Sequence, residues 1–201
     1  MTGRCGILRM SNHRSAFRLL ILIDIPWLLL LYTVPAEPSR KRAAIWRELK
    51  KVGAPYLRDG VCILPERADT RERLDAIAAK VEEFAGEATL VSGARLSETR
   101  ATALVEQFRA ARAEEYDEIA READRLIEHV ARETEHRQFT YADLEELEGD
   151  LGKLRRWTDQ VAARDYFADG PPTGLVAALN RCERALSAFL EAAAAQEHGA
   201  S

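Results

Sequence analysis

Six cations crowd residues 38–52: Arg40, Lys41, Arg42, Arg47, Lys50 and Lys51, against one acid, Glu48. If this stretch is helical, steps of seven and four residues bring 40, 47 and 51 to nearly the same angle. Such a stripe neutralises several phosphates and gives a salt-dependent, sequence-independent affinity. Arg40, Lys41 and Arg42 also lie near a predicted helix N-terminus, a favourable place for an oxyanion. These six residues are the candidate nucleic-acid or anion site, and the competing reading is a plain solvated face. No winged-helix or helix-turn-helix reader accompanies them, so sequence-specific base reading has no location. Trp46 either stacks on a base or packs on a neighbouring helix. Packing is the expectation, because large aromatics are mostly buried.

Other chemistries find less support. The four histidines are His13, His129, His136 and His198. His129, Glu133 and His136 share a predicted helix at spacings of four and three. One helix supplying all three ligands without cysteine is weak for a metal, and ordinary surface residues are expected. Cys5, Cys62 and Cys182 are odd in number and far apart. That excludes a disulfide scaffold or a Cys-rich metal site and fits a reducing compartment. Cys62 falls in a predicted strand and reads as a buried thiol. There is no HExxH, CxxC, GxSxG or Gly-rich phosphate loop. No catalytic constellation, metal or cofactor is expected.

The elements that must carry these residues follow from apolar spacing. WLLLLYTV at 27–34 is a continuous apolar run ended by Pro35, as in a central strand covered on both faces. The longer run from Leu19 to Val34 is 16 residues, holds Asp24 and Pro26, and is too short for a spanning helix of about 20. No stable membrane insertion is expected. A helix follows, with Pro38 in its first turn, Ile45, Leu49 and Val52 on one face, and Gly53 as its stop. Ala54–Arg58 and Val61–Leu64 flank Asp59-Gly60, a strong hairpin signal in which both turn residues take positive φ. Asp69 caps the next helix with Glu72 in a capping box. Its face is Leu74, Ile77, Ala78, Val81, Phe84 and Ala85, and Gly86 stops it. EATLVSGA at 87–94 is the last strand. The order β-α-β-β-α-β is the ferredoxin-like arrangement.

The second half reads as helices. Ser97 caps a helix of about 38 residues with a seam of Val105, Phe108, Arg112, Tyr116, Ile119, Ala123, Leu126 and Val130. It is predicted to end near 135–138. Thr140 caps a second helix bearing Leu144, Leu147, Leu151, Leu154, Thr158 and Val161, antiparallel to the first across a short link. ADGPP at 168–172 breaks the chain. Thr173 caps a third helix with Leu175, Leu179, Cys182, Leu186 and Phe189, fraying after Ala195. The fold class is α+β. The expected domains are a poorly structured 1–24 with Met10 as an alternative start, a ferredoxin-like 25–95, a helical extension 96–196 with a long antiparallel hairpin, and a tail 197–201.

The 201 residues are 47% hydrophobic and 31% charged, too apolar for disorder and too charged for a multi-spanning membrane protein. The net charge of −4 hides an asymmetry. Residues 1–60 hold 11 Lys/Arg and 4 Asp/Glu, and residues 61–201 hold 18 and 29, so the halves carry +7 and −11. Different partners for the two halves are expected.

WLLLLYTVPAEPSRKRAAIWRELKKVGAPYLRDGVCILP at 27–65, the helix over 70–85 and QVAARDYFADG at 160–170 together resemble the N-terminal domain of ChrB-type chromate resistance proteins. The specific part is Trp27 to Pro65. The resemblance implies a cytoplasmic, non-enzymatic regulator of a chromate efflux operon, with DNA, chromate or another oxyanion as partners. In the family a C-terminal sensing or detoxifying domain commonly follows; with the chain ending at Ser201, that part is expected on a separate ChrB C-terminal-type chain. The alternative is a dimeric interaction module, a homodimer through the helical hairpin, that partners such a chain. The layout is also similar to the middle domain of PaaX-type repressors and to small CRISPR adaptation nucleases. The nucleases end their first strand on an acid, whereas Tyr32-Thr33-Val34 has none, and Asp24 lies upstream. A metal-dependent nuclease is therefore the least favoured reading.

Overall fold

A computed structural model describes residues 25–136, 141–168 and 170–199. The expectations for residues 1–24, including Met10, Cys5, His13 and Asp24, and the Thr140 cap, lie outside them. The chain divides into two compact units, at Gln107/Phe108.

In the first unit, β1 (Trp27–Thr33), α1 (Ser39–Lys51), β2 (Tyr56–Arg58), β3 (Val61–Pro65), α2 (Ala68–Glu83) and β4 (Glu87–Ala94) follow one another. The sheet order is β2-β3-β1-β4 with every neighbouring pair antiparallel, the order of the split β-α-β arrangement. β1 is central. Its Trp27, Leu28 and Leu30 are fully buried, but Leu29 and Leu31 are only half-buried, so one face of the strand is less completely covered than its unbroken apolar run implies. Ile45 and Leu49 of α1 and Leu74 and Val81 of α2 are fully buried. Each such side chain contributes about 1.5–3 kcal/mol.

The turns differ from expectation in instructive ways. At Asp59-Gly60 only Gly60 has positive φ (+70°). A Cβ there would lie 2.6 Å from the Tyr32 carbonyl oxygen, while the Tyr32 N–H donates to the Gly60 carbonyl at 2.8 Å. The backbones touch, so glycine is required by proximity as well as by φ. α2 is capped by Arg67, not Asp69, and Thr70 takes the role assigned to Glu72. The Thr70 hydroxyl accepts from the Arg67 N–H at 3.0 Å and donates to the Pro65 carbonyl at 2.7 Å. Burial of Thr70 explains the choice: a hydroxyl is satisfied inside, where a carboxylate would be desolvated. The C-terminal reversal of α2 is made by Ala85 (φ +60°), not Gly86. Gly86 is needed for a different reason: its would-be Cβ lies 2.2 Å from the Thr33 carbonyl oxygen.

β4 bulges where Trp27 pairs with Ala94 but Leu29 with Val91. Gly93 sits in the bulge with φ +68°, and its N–H donates to Glu66 at 2.6 Å. Arg71 also donates to Glu66, at 2.5 Å. The Gly93 N–H first, and Arg71 after it, hold the Glu66 carboxyl below its ordinary value. The stabilisation from this carboxylate is present above the ordinary glutamate pKa, about 4.3, and is lost as pH falls through the lower folded value. The difference in thermal midpoint between wild type and Glu66→Gln is thus expected to be largest above pH about 4.5 and to shrink toward pH 2. A difference that stays constant over that range would contradict the assignment.

The second unit carries most of α3 (Glu98–His136), with α4 (Tyr141–Ala162) and α5 (Thr173–Gly199). Ser97 begins α3 as expected, accepting from the Arg100 N–H at 3.4 Å. Tyr116, Ile119, Ala123, Leu126 and Val130 of α3 share one core with Leu147, Leu151, Leu154 and Val161 of α4 and Leu175, Cys182, Leu186 and Phe189 of α5. Glu115, early in α3's share of the unit, pairs with Arg164 just past α4, so the two helices run in opposite directions. α5 continues to Gly199 rather than fraying after Ala195. Thr173 is its first residue. Among the described residues, no helix is long and apolar enough to cross a membrane.

Candidate nucleic-acid interface

Burial of Ile45 and Leu49 sets the rotation of α1 and thereby divides its six cations. Arg40, Arg42 and Arg47 are exposed and make no hydrogen bond or ion pair among the described residues. Lys41 is turned inward. Its Nζ donates to the Phe84 carbonyl at 3.0 Å and lies 5.7 Å from the centre of that ring. It tethers the C-terminus of α2, where a cation meets unpaired carbonyls. Lys51 pairs with Glu48 at 3.4 Å, and Lys80 of α2 pairs with the same carboxylate at 3.0 Å. Lys80 above all holds the Glu48 carboxyl below its ordinary value. Lys50 sits 5.2 Å from the Trp46 ring centre. Three of the six cations thus already have partners within the fold, and the three arginines have none among the described residues.

Trp46 corrects an expectation. It is 50% exposed and does not pack into a core. Arg42 and Trp46, one turn apart, line a cup of about 410 Å³ with Tyr32, Val34, Tyr56, Asp59 and Gly60. The Tyr32 and Tyr56 hydroxyls share a hydrogen bond of 2.8 Å. Burial, then the Tyr56 hydroxyl, pushes the Tyr32 phenol up, and burial likewise raises Tyr56. Both remain protonated at neutral pH. The cup therefore offers a guanidinium, a pair of phenol hydroxyls and an exposed indole, groups that suit a phosphate and a stacked ring.

The tyrosines were not singled out in the sequence. They are 24 positions apart and meet only through the sheet, where Leu30 and Tyr56 both register against Cys62. The sole local signal was the Asp59-Gly60 hairpin between β2 and β3.

The remaining candidates stay apart from this surface. His129 pairs with Glu133 at 3.5 Å, and His136 is exposed at the end of α3. No group of three His, Cys, Asp or Glu side chains converges among the described residues. Cys62 is fully buried, as expected, and burial pushes its thiol up to about 12. Such a thiol has no thiolate to offer at neutral pH.

Comparison with known proteins agrees with the sequence resemblance. A family model described as "Protein ChrB, N-terminal" matches residues 42–200. "Protein ChrB" of Cupriavidus metallidurans is 35% identical over 69 residues, which is 34% of this chain and 21% of that protein. The match thus spans about a fifth of the relative's length. No solved structure matches. With the model match covering most of the chain, this protein belongs to the ChrB N-terminal family.

Proposed function

We propose that this chain is a non-enzymatic regulatory protein of chromate resistance that contacts DNA through α1. Control of a chromate efflux operon is the role, and the cytoplasm is the compartment. The observation that carries the reading is that Arg40, Arg42 and Arg47 stand exposed on one helix beside the half-exposed Trp46, with no partner among the described residues. Unpaired guanidinium groups at a surface are free to meet phosphates, and Arg suits phosphate geometry better than Lys. The family membership supports the physiological setting.

The test is fluorescence anisotropy of the full chain on duplex DNA from its own gene cluster across 50–200 mM salt. Three phosphate contacts give a slope of log affinity against log salt near −2.7, so affinity falls about 40-fold over that range. Absence of binding at 50 mM salt, or binding indifferent to salt, would overturn the reading.

A second reading is a homodimeric interaction module serving a separate ChrB C-terminal-type chain. It is favoured by one observation: Val176 and Leu190, 43% and 37% exposed, fall on the same side of α5. Sedimentation equilibrium decides it. A monomer that shows no affinity for such a chain excludes it.

A further inference from the structure

The cup beside α1 is concave, whereas contact with a run of phosphates needs only an exposed face. Of the three exposed arginines, Arg42 lines the cup, and Arg40 and Arg47 do not. Its volume, about 410 Å³, lies within the range of about 300–1,000 Å³ typical of small-molecule sites, which is more room than one phosphate group needs.

Each wall of the cup sets a condition on its occupant. Trp46 is 50% exposed, and Lys50 lies over its ring at 5.2 Å. Lys50 does not line the cup and Arg42 does, so the cup meets the indole on the side toward Arg42 and offers it to a flat ring. The Tyr32 and Tyr56 hydroxyls bond each other at 2.8 Å, and burial raises both phenols, so this wall presents hydroxyls and no phenolate. Asp59 adds a carboxylate. A carboxylate accepts from the N–H groups of a base edge and repels a phosphate. The matching occupant has an aromatic face, an edge with N–H donors and an anionic group toward Arg42, as a single nucleotide does. In paired duplex DNA the base faces are covered by their neighbours, and only the edges show in the grooves. An indole set in a concavity meets a base face only where a base has left the stack.

The geometry points to the cup as a pocket for one unpaired nucleotide of DNA. Its base stacks on Trp46 with its edge toward Asp59 and the tyrosine hydroxyls, and its phosphate meets Arg42. This rests on the reading that α1 contacts DNA, and it adds a preference: DNA with an unpaired base over fully paired duplex. One flat base carrying one phosphate is also the chemistry of a free nucleotide. The strand is favoured because Arg40 and Arg47, exposed on the same helix, are placed to meet neighbouring phosphates.

Three duplexes of one sequence, titrated with the full chain by fluorescence anisotropy, test it: fully paired, with one extra unpaired adenine, and with an abasic nucleotide at that extra position. The abasic duplex keeps the added phosphate and the local flexibility but has no base to stack. The duplex with the unpaired adenine is expected to bind about tenfold more tightly than the abasic one, the scale of one base–aromatic stack. Trp46→Ala is expected to erase that ratio and Trp46→Phe to keep most of it. Trp46 lies outside the buried core, so both variants keep the fold, which circular dichroism checks. Equal affinity for the unpaired-base and abasic duplexes, with the paired duplex still bound, would overturn the pocket and leave the α1 reading standing. No binding of any duplex would overturn both. A preference that survives Trp46→Ala would also overturn the pocket. Deoxyadenosine monophosphate as a competitor separates the two sources of nucleotide. Displacement of the unpaired-base duplex only at large excess supports the strand, and displacement at equal concentration overturns it in favour of the free nucleotide.

Discussion

Replacing Arg40, Arg42 and Arg47 together by alanine is expected to remove most of the salt dependence of DNA binding. If each arginine meets one phosphate, the slope of log affinity against log salt falls by about 0.9 per residue, nearly to zero for the triple variant. Affinity at 50 mM salt drops by about two orders of magnitude or to the detection limit, as the phosphate term supplies most non-specific binding. Lys41→Ala is the internal control. Its ammonium is engaged with the Phe84 carbonyl and ring, so it contributes to docking α1 against the end of α2. Its removal should lower the unfolding midpoint with little change in the salt slope. Equal loss of slope in Lys41→Ala and in Arg47→Ala would mean that the division of cations seen on α1 does not govern binding. Single variants of Arg42 and Arg47 separate the cup from the outer face, since only Arg42 lines it.

The largest effect on stability is expected at Gly86. Alanine there would place its Cβ 2.2 Å from the Thr33 carbonyl oxygen and 3.1 Å from that of Val81. Neither is the movable end of a side chain. Thr33 is the last residue of the central strand, and the Val81 carbonyl already accepts the Gly86 N–H at 3.0 Å. The junction of α2 and β4 must shift, and overpacking of this kind costs about 3 kcal/mol or more. Gly149→Ala gives the contrasting result. Gly149 lies exposed inside α4 with nothing within 4 Å of a would-be Cβ. Alanine there should stabilise by about 0.5–1 kcal/mol through reduced backbone entropy in the unfolded chain. Urea titrations of the three proteins check both signs. A Gly86→Ala midpoint within error of wild type would refute the close approach of the two backbones.

Much of the fold was legible because it rests on local periodicity. The run at 27–34, the 3–4 spacing of Leu74, Ile77 and Val81, and the seams of Leu147, Leu151 and Leu154 each state their own element. The errors share a cause. A cap of Arg67 with Thr70 instead of Asp69 with Glu72, and reversal at Ala85 instead of Gly86, are decided by what lies across the turn. Thr70 has the Pro65 carbonyl to reach, and Gly86 has the Thr33 carbonyl against it. Pattern reading sees only the neighbours in sequence.

The same boundary runs through the candidate surface. The sequence alone determined the α+β class, the order of elements, the family, and the crowding of six cations on one helix. These follow from residue spacing and composition, which are properties of a single chain segment. Only the tertiary structure decided which cations find a partner among the described residues. Packing of Ile45 and Leu49 turns Lys41 toward α2 and leaves Arg40, Arg42 and Arg47 outside. It also decided that Trp46 faces a cup with two tyrosines, and that Arg112 and Arg164 share one carboxylate 49 residues from the latter. Charge and aromaticity are written residue by residue, but whether a donor has an acceptor depends on what the folded chain brings within about 3 Å of it.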